Sequence, residues 1–342
     1  MATQSTLKDV AERAGVHPGT ASRALNPETR TLVNAETAQR VLQAAADLGY
    51  TPNPFARSLK TKHSYAIGVL IPDMTNPFFP PIVRGVEDRL AESGYTVFVG
   101  NTDNEAARER VQLQKMRDRQ VDGLIVATAE VKHKALSDAM SAGTPIVLVN
   151  RTLAGKRIFS VSVDDAAGVH LAVEHLLGLG HKHIAHVAGP QKLSTGRNRH
   201  AGYVEAMSAA GLRVDPDLVT FADAFTEEAG IVAFRQLLRT RKKITAVVAG
   251  NDLIALGGYD VLPERKLKCP EDISIVGFND MRFVDKVTPP LTTVRVPQYE
   301  LGRLAADLLL ERLRNPEAPA RALRLAPELI VRRSTGPVRA RR

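Results

Sequence analysis

The chain has 342 residues, a net charge of +9 at neutral pH and one cysteine, Cys269. A single cysteine excludes a disulfide framework, and the chain contains no run of eighteen apolar residues that could span a membrane. The first residues carry charges where a secretion signal needs an apolar run, so we expect a cytoplasmic protein without a membrane partner. The positive charge favours a polyanionic partner.

Residues 6–26 have the pattern of a helix, a tight turn and a second helix. Thr6 and Asp9 form a capping-box pair at the start of the first helix. Gly15 supplies the positive φ of a sharp turn, and Pro18 starts the second helix at a position where its missing N–H costs nothing. Ala21 and Leu25 are predicted to face inward. The outward positions of the second helix are Pro18, Gly19, Ser22, Arg23 and Asn26.

A short second helix with an outward arginine and hydroxyls suits a DNA major groove, although an ordinary helical hairpin has the same pattern. Asn34 is predicted to cap a third helix that ends at Gly49 and closes a small core with Val41, Ala45 and Leu48. Residues 1–62 contain eight Lys/Arg and five Asp/Glu, a net charge of only +3. DNA binding is therefore argued from the motif and not from the charge.

From residue 65 onward, apolar runs of strand length alternate with helical patterns. Such alternation predicts βαβ units and parallel sheets, with a ligand at the carboxyl ends of the strands. Two successive series predict a two-lobed α/β body. The predicted strands are 66–71, 96–99, 124–127 and 145–149, followed by 158–163, 184–188, 246–249 and 273–276.

Enzymatic function is disfavoured, because the chain has no dinucleotide-binding, P-loop or nucleophile-elbow motif. The cluster of His175, His181, His183 and His186 is interpreted as structural, since metal ligands must converge on one point. We therefore predict no catalytic residue, no metal and no cofactor.

Short motifs across the whole chain resemble the lac-repressor-like (LacI/GalR) family of transcription regulators. The resemblance implies an α/β fold: a two-lobed periplasmic-binding-protein-like core of doubly wound parallel sheets, preceded by a small all-α helix-turn-helix headpiece. It covers residues 6–334. The motifs are LKDVA at 7–11, AGV at 14–16, TASRALN at 20–26, LGY at 48–50, ARSLK at 56–60, NPFF at 76–79, VDGLI at 121–125 and PPLTTV at 289–294.

The resemblance also implies the domain boundaries. These are a DNA-binding headpiece at 1–51, a hinge helix at 52–63, a first lobe at 64–163 and 290–323, a second lobe at 164–289 and 324–334, and a basic tail at 335–342. The tail contains Arg339, Arg341 and Arg342 and is interpreted, together with Arg332 and Arg333, as solvated. Because it lacks the leucine heptads of tetrameric relatives, we predict a homodimer.

By resemblance, the partner is a palindromic double-stranded operator. Family DNA contacts map onto Thr6, Pro18, Gly19, Thr20, Ser22, Arg23, Asn26, Ala56, Leu59 and Lys60. His17 stands where a capping serine is usual, and Pro18 and Gly19 occupy the main base-reading positions without a side-chain hydrogen bond. Arg23 is thus predicted to read a guanine, and Leu59 to wedge into the minor groove.

A small effector is expected between the lobes, and its identity is open. The implied effector residues are Phe78, Phe79, Arg151, Thr195, Arg199, Phe225, Asn251 and Asn279. Sugar-binding members carry Asp at the position of Asn279, so Arg151 and Arg199 are predicted to leave positive charge for a sugar acid. The alternative is that Asp280 or Asp164 neutralises the arginines and the effector is a neutral sugar. Leu193 stands where purine repressors place an arginine, which disfavours a purine.

These observations predict an effector-controlled transcription repressor. A solute-binding protein for sugar uptake would use the same α/β body. The headpiece and the charged N-terminus favour the regulator.

Overall fold

The computed structural model describes residues 5–26, 29–51, 63–155 and 158–338. The chain divides into two compact units, Met1–Tyr65 and Ala66–Arg342. Three predicted DNA contacts, Ala56, Leu59 and Lys60, lie outside the described residues.

The first unit is a bundle of short helices: α1 (Leu7–Arg13), α2 (Pro18–Leu25) and α3 (Ala35–Asp47), with a 3₁₀ turn at Arg30–Leu32. Val10, Ala21 and Val41 are fully buried between them, which confirms the predicted core. Gly15 and Gly49 adopt φ of +63° and +58° where α1 and α3 end. The all-α headpiece therefore follows from its local signals, as predicted.

The second unit contains two six-stranded sheets. The first has the order β11-β5-β4-β3-β1-β2 and is parallel throughout. Its strands are β1 (Ala66–Ile71), β2 (Thr96–Asn101), β3 (Gly123–Val126), β4 (Ile146–Val149), β5 (Ser160–Val163) and β11 (Ala322–Leu325). The helices of this lobe are α4 (Phe79–Ala91), α5 (Ala106–Asp118), α6 (Lys134–Ser141) and α11 (Gln298–Arg314).

The second sheet has the order β12-β10-β9-β8-β6-β7, and only β12 is antiparallel to its neighbour. Its strands are β6 (Ile184–Ala188), β7 (Val219–Phe221), β8 (Ala246–Ala249), β9 (Ser274–Asn279), β10 (Thr292–Arg295) and β12 (Glu328–Ile330). Its helices are α7 (Asp165–Gly178), α8 (Ser194–Ala209), α9 (Glu227–Leu237) and α10 (Asp252–Glu264), with a 3₁₀ turn at Pro216–Leu218. The predicted fold class is confirmed.

The chain crosses between the lobes three times, and two crossings differ from the predicted boundaries. β10 pairs with β9 in the second sheet, so the first lobe resumes after Arg295 and not at residue 290. β11 pairs with β5 in the first sheet, which moves the last crossing from residue 324 to beyond Leu325. β10 and β11 are strands of four residues without a pattern that specifies one of the two sheets, so sequence alone does not assign them.

The C-terminal segment also departs from its prediction as a solvated tail. The Arg332 guanidinium donates to Asp280 Oδ1 at 2.7 Å and to the Leu291 carbonyl at 2.8 Å. His181 Nε2 lies 2.9 Å from the Gly336 carbonyl oxygen, and the Val338 amide donates to the Leu179 carbonyl. Residues 332–338 are therefore held against the second lobe; residues 339–342 lie outside the described residues.

Both sheets place their topological switch point between the first and third strand of the lobe, β1/β3 and β6/β8. Open α/β sheets bind ligands beyond the carboxyl ends of the strands at such a point. None of the helices within the described part of the chain is long and apolar enough to cross a membrane.

Candidate DNA-binding surface and effector cleft

The second helix of the headpiece begins with an unusual cap. His17 Nδ1 accepts a hydrogen bond from the Gly19 amide at 3.1 Å, the role that serine or aspartate usually fills. A Cβ on Gly19 would lie 3.2 Å from that same nitrogen. The imidazole cap and the glycine are thus matched, which accounts for the departure from the family pattern at His17.

The outward face of α2 carries the predicted base-reading residues. Arg23 is exposed, and its guanidinium makes no hydrogen bond or ion pair with another residue in the described ranges. Thr20 and Ser22 are half-buried beside it, while Pro18 is exposed. Thr6 lies at the start of α1, where its hydroxyl exchanges hydrogen bonds with Asp9 in the predicted capping box. Thr6 therefore has a structural role in addition to the predicted contact.

In the second unit, all eight predicted effector residues line one cavity of about 90 Å³ between the lobes. They come from both lobes because the cavity lies beyond the carboxyl ends of both sheets. Phe78, Phe79 and Arg151 belong to the first lobe, and Thr195, Arg199, Phe225, Asn251 and Asn279 to the second.

Other polar residues line the cavity in addition to the eight predicted effector residues. Each follows a strand or precedes a helix at the same edge of a sheet, and that position was the available signal. They are Asp73, Asn76, Asn104, Asn150, Lys192, Asp223 and Thr226. The cavity is smaller than the ~300–1,000 Å³ typical of small-molecule sites.

Arg199 is held by the second lobe through two of its guanidinium nitrogens. Its Nε donates to Asp165 Oδ1 at 2.8 Å and its Nη1 to the Gly250 carbonyl at 2.8 Å. The guanidinium carbon lies 3.8 Å from the centroid of the Phe278 ring. The prediction that Arg199 leaves positive charge for the effector is therefore wrong.

The partner of Arg199 is neither of the two carboxylates proposed as alternatives. Asp164 caps α7 by accepting from the Ala167 amide, and Asp280 binds Arg295 and Arg332. Asp165 is buried, and desolvation raises the pKa of its carboxyl while the charge of Arg199 opposes that rise.

Arg151 is buried without such a pair. Its Nη1 is 3.5 Å from Asn104 Oδ1, and its Nε has no hydrogen-bond partner. Burial lowers the pKa of Arg151 to about 10, and the carboxylates of Glu130 and Glu109 partly offset this effect. At neutral pH the side chain is still a cation, and it contacts the cleft.

Three further buried polar atoms around the cleft lack a partner: Asn150 Oδ1, Thr195 Oγ1 and Asn279 Oδ1. Asn279 has a φ of +124°, a backbone conformation that residues other than glycine rarely adopt. Buried polar groups without hydrogen bonds are costly and call for an explanation. A ligand rich in hydroxyl and acid groups would supply the missing partners.

The aromatic residues shape the cleft and also pack in the core. Phe78 and Phe79 meet edge to face with ring centroids 5.2 Å apart, and both are buried in the main hydrophobic cluster. Phe225 is half-buried against Gly189, where a Cβ would lie 2.3 Å from the ring. Asn251 Oδ1 accepts from the Ile254 amide and thereby caps α10.

The geometry defines a class of protein: a helix-turn-helix headpiece followed by a two-lobed body with a polar cleft. Residues 6–53 match the bacterial regulatory proteins of the lacI family, and residues 173–335 match the periplasmic binding protein-like domain. The chain belongs to the lacI family, whose helix-turn-helix region makes it a DNA-binding transcription regulator.

Individual relatives cover nearly the whole chain. The HTH-type transcriptional repressor CytR of Escherichia coli (strain K12) is 36% identical over 97% of both chains. A lac repressor dimer bound to operator and the anti-inducer ONPF has a TM-score of 0.86 at 28% identity, over 98% of this chain and 100% of that one. A LacI family regulator from Enterococcus faecium with bound ribose has a TM-score of 0.70 at 33% identity, over 80% and 100%.

Proposed function

We propose that this protein is a homodimeric transcription repressor whose affinity for palindromic operator DNA is controlled by a small sugar or sugar acid bound between the lobes. The observation that carries the proposal is the cleft, where eight predicted residues meet around unpartnered polar atoms of Asn150, Arg151, Thr195 and Asn279. Its relatives, named as repressors, support the same function. No step requires an enzyme activity.

The DNA contacts are proposed from α2. Arg23 is exposed and without a partner among the described residues, so its fork is available for the O6 and N7 of a guanine. Gly19 and Pro18 let the backbone approach the groove without adding a hydrogen-bonding side chain. Ala56, Leu59 and Lys60 are assigned to the hinge by resemblance alone.

Effector control follows from linkage. An effector shifts operator occupancy only by its difference in affinity for the two arrangements of the lobes. The cavity is smaller than typical small-molecule sites, so the proposal is that effector binding changes the separation of the lobes and that this change is the signal to the headpiece. Either release or tighter binding of operator fits this scheme.

The effector response is tested on an operator selected from randomised duplex DNA by the wild-type protein. Fluorescence anisotropy with a panel of sugars and sugar acids should find a ligand that changes the operator Kd by about tenfold or more. The substitution Arg151→Met should reduce that response without changing operator affinity in the absence of ligand. A panel without any effect on the operator Kd would contradict the proposal.

The DNA contact is tested by Arg23→Ala, which should lose about 1–3 kcal/mol of discrimination at one base pair per half-site. Arg40→Ala is the matched control, because Arg40 is an exposed arginine on α3. Full operator preference in Arg23→Ala would assign specificity to DNA shape or to the hinge. Lys60→Ala should instead weaken binding to all sequences and reduce the salt dependence.

A further inference from the structure

A second cavity, of about 220 Å³, lies in the first lobe beside the effector cleft. The two cavities share Asn104 and Arg151, so the unpaired guanidinium stands at their junction. The walls are the loop after β2, the end of β3, the first turn of α5 and the start of α6. This cavity is the larger of the two, and Arg151 is its only lining residue that belongs to the predicted effector site.

The floor of this cavity is formed by Glu109, whose carboxylate accepts hydrogen bonds from two neighbouring side chains. Glu109 is 5% exposed and accepts hydrogen bonds from the Thr128 hydroxyl and, at 2.7 Å, from His133 Nε2. His133 Nδ1 accepts from the Glu130 amide at 3.2 Å, which places the imidazole proton on Nε2. The buried Glu109 and the half-buried His133 are thus fixed in one arrangement, as in a prebuilt binding site.

The charges around the cavity are unequally paired. Two of its three carboxylates form ion pairs, Glu105 with Arg108 at 3.1 Å and Glu130 with Lys192 at 3.1 Å, and the third, Glu109, is hydrogen-bonded to His133. Four cations that line it form no ion pair with any residue in the described ranges. These cations are Arg110, Lys132, Lys134 and Arg151.

We propose that this first-lobe cavity binds an oxyanion, a phosphate ester or carboxylate, carried by an effector whose sugar lies in the interlobe cleft. The inference rests on the proposed function and names the chemical class of the effector. Arg151 bridges the two cavities and offers the free Nε to the anion. The first turn of α5, a helix of 13 residues, lines the cavity, so the positive end of the helix dipole lies at the cavity wall.

A phosphate ester suits this cavity better than a carboxylate. It carries about −1.5 to −2 charges at pH 7 and three acceptor oxygens, which match several cations. The buried Glu109 carboxylate repels an anion at the floor, so the phosphate belongs near the rim, between Arg151 and the exposed Arg110, Lys132 and Lys134. The effector is then elongated, with its ring and its anionic end in separate cavities.

The test is isothermal titration calorimetry of the full chain without DNA, with inorganic phosphate, ribose and ribose 5-phosphate as probes. Phosphate should bind, and the affinity for ribose 5-phosphate should be higher than that for ribose by about tenfold or more. Arg110→Glu and Lys134→Glu should each weaken phosphate binding about fivefold to tenfold. Lys115→Glu is the matched control, because Lys115 is exposed on the same helix as Arg110 and does not line the cavity.

Absence of phosphate binding, or equal weakening by Lys115→Glu, would overturn the inference. A neutral sugar that alters operator affinity equally in wild type and in Arg110→Glu would overturn it and leave the proposed function intact. Phosphate binding that depends on Arg110 and Lys134, with no ligand acting on operator, would support the cavity and contradict the proposed function.

Discussion

The two lobes hold their buried arginines in opposite ways. In the second lobe, Arg199 has a carboxylate, a carbonyl and an aromatic ring as partners. In the first lobe, Arg151 has one hydrogen bond of 3.5 Å and an unpartnered Nε. Both guanidinium groups line the same cleft, and each side chain is about 5% exposed or less.

The difference separates a buried cation with a counter-charge from a buried cation without one. A buried ion pair is costly to break because the remaining partner is left charged in a low dielectric. A buried cation without a partner is costly to keep, so its retention needs another reason. We infer that Arg199 shapes the cleft and that Arg151 binds the effector.

The largest expected effect comes from breaking the Arg199 pair. Asp165→Asn should lower the free energy of unfolding by about 3–5 kcal/mol, because Arg199 would remain buried without a counter-charge. The measurement is urea denaturation of wild type, of Asp165→Asn and of a control variant, Asp164→Asn. Asp164→Asn is the control: asparagine still caps α7, so its loss should be small. Equal losses in the two variants would remove the contrast between the arginines.

The next effect concerns Asp252, a buried carboxyl in the second lobe that accepts from the Met281 amide and the Thr293 hydroxyl. Burial raises its pKa from 3.8 to about 6, so its contribution to stability is fully present below pH 4 and is lost as pH rises through 6. The difference in unfolding free energy between wild type and Asp252→Asn should change by about 2 kcal/mol between pH 4 and pH 7.

That measurement uses a difference because His186 acts in the opposite direction. Burial lowers the pKa of His186 to about 3, so its contribution is lost as pH falls below 6.5. Both proteins contain this histidine, so it cancels in the comparison. A difference that stays constant with pH would mean that the hydrogen bonds of Asp252 keep it ionised throughout.

A smaller effect is expected from Arg151→Met in the absence of ligand. Removing a buried cation that has no ion pair should leave the unfolding free energy unchanged or raise it by up to about 2 kcal/mol. Thermal and urea unfolding would detect this. A loss as large as that of Asp165→Asn would make Arg151 a structural residue and remove the main support for its role in binding.

The smallest effect is expected at an exposed ion pair. Arg235 binds Glu264 through two hydrogen bonds of 2.6 and 3.1 Å on the surface of the second lobe. Solvent screens this pair, so Arg235→Gln should leave the urea midpoint within error of wild type. A clear shift would show that burial is not what distinguishes the pair of Arg199 and Asp165.

The sequence by itself determined the features that depend on near neighbours. Thr6, Gly15, Asn34 and Gly49 each act through bonds or φ angles within a few residues, so the headpiece was predictable. The cleft residues were also predictable as a set, because each follows a strand of a parallel sheet and the strands end together.

Only the tertiary structure decided which partner each of these residues takes. Arg199 pairs with Asp165 because Asp164 is used as the helix cap, and the next side chain along α7 is directed into the core. β10 joined the second sheet because pairing between distant strands selects one of two equally apolar neighbours. Contacts across many residues depend on packing, and neither spacing nor residue type fixes them.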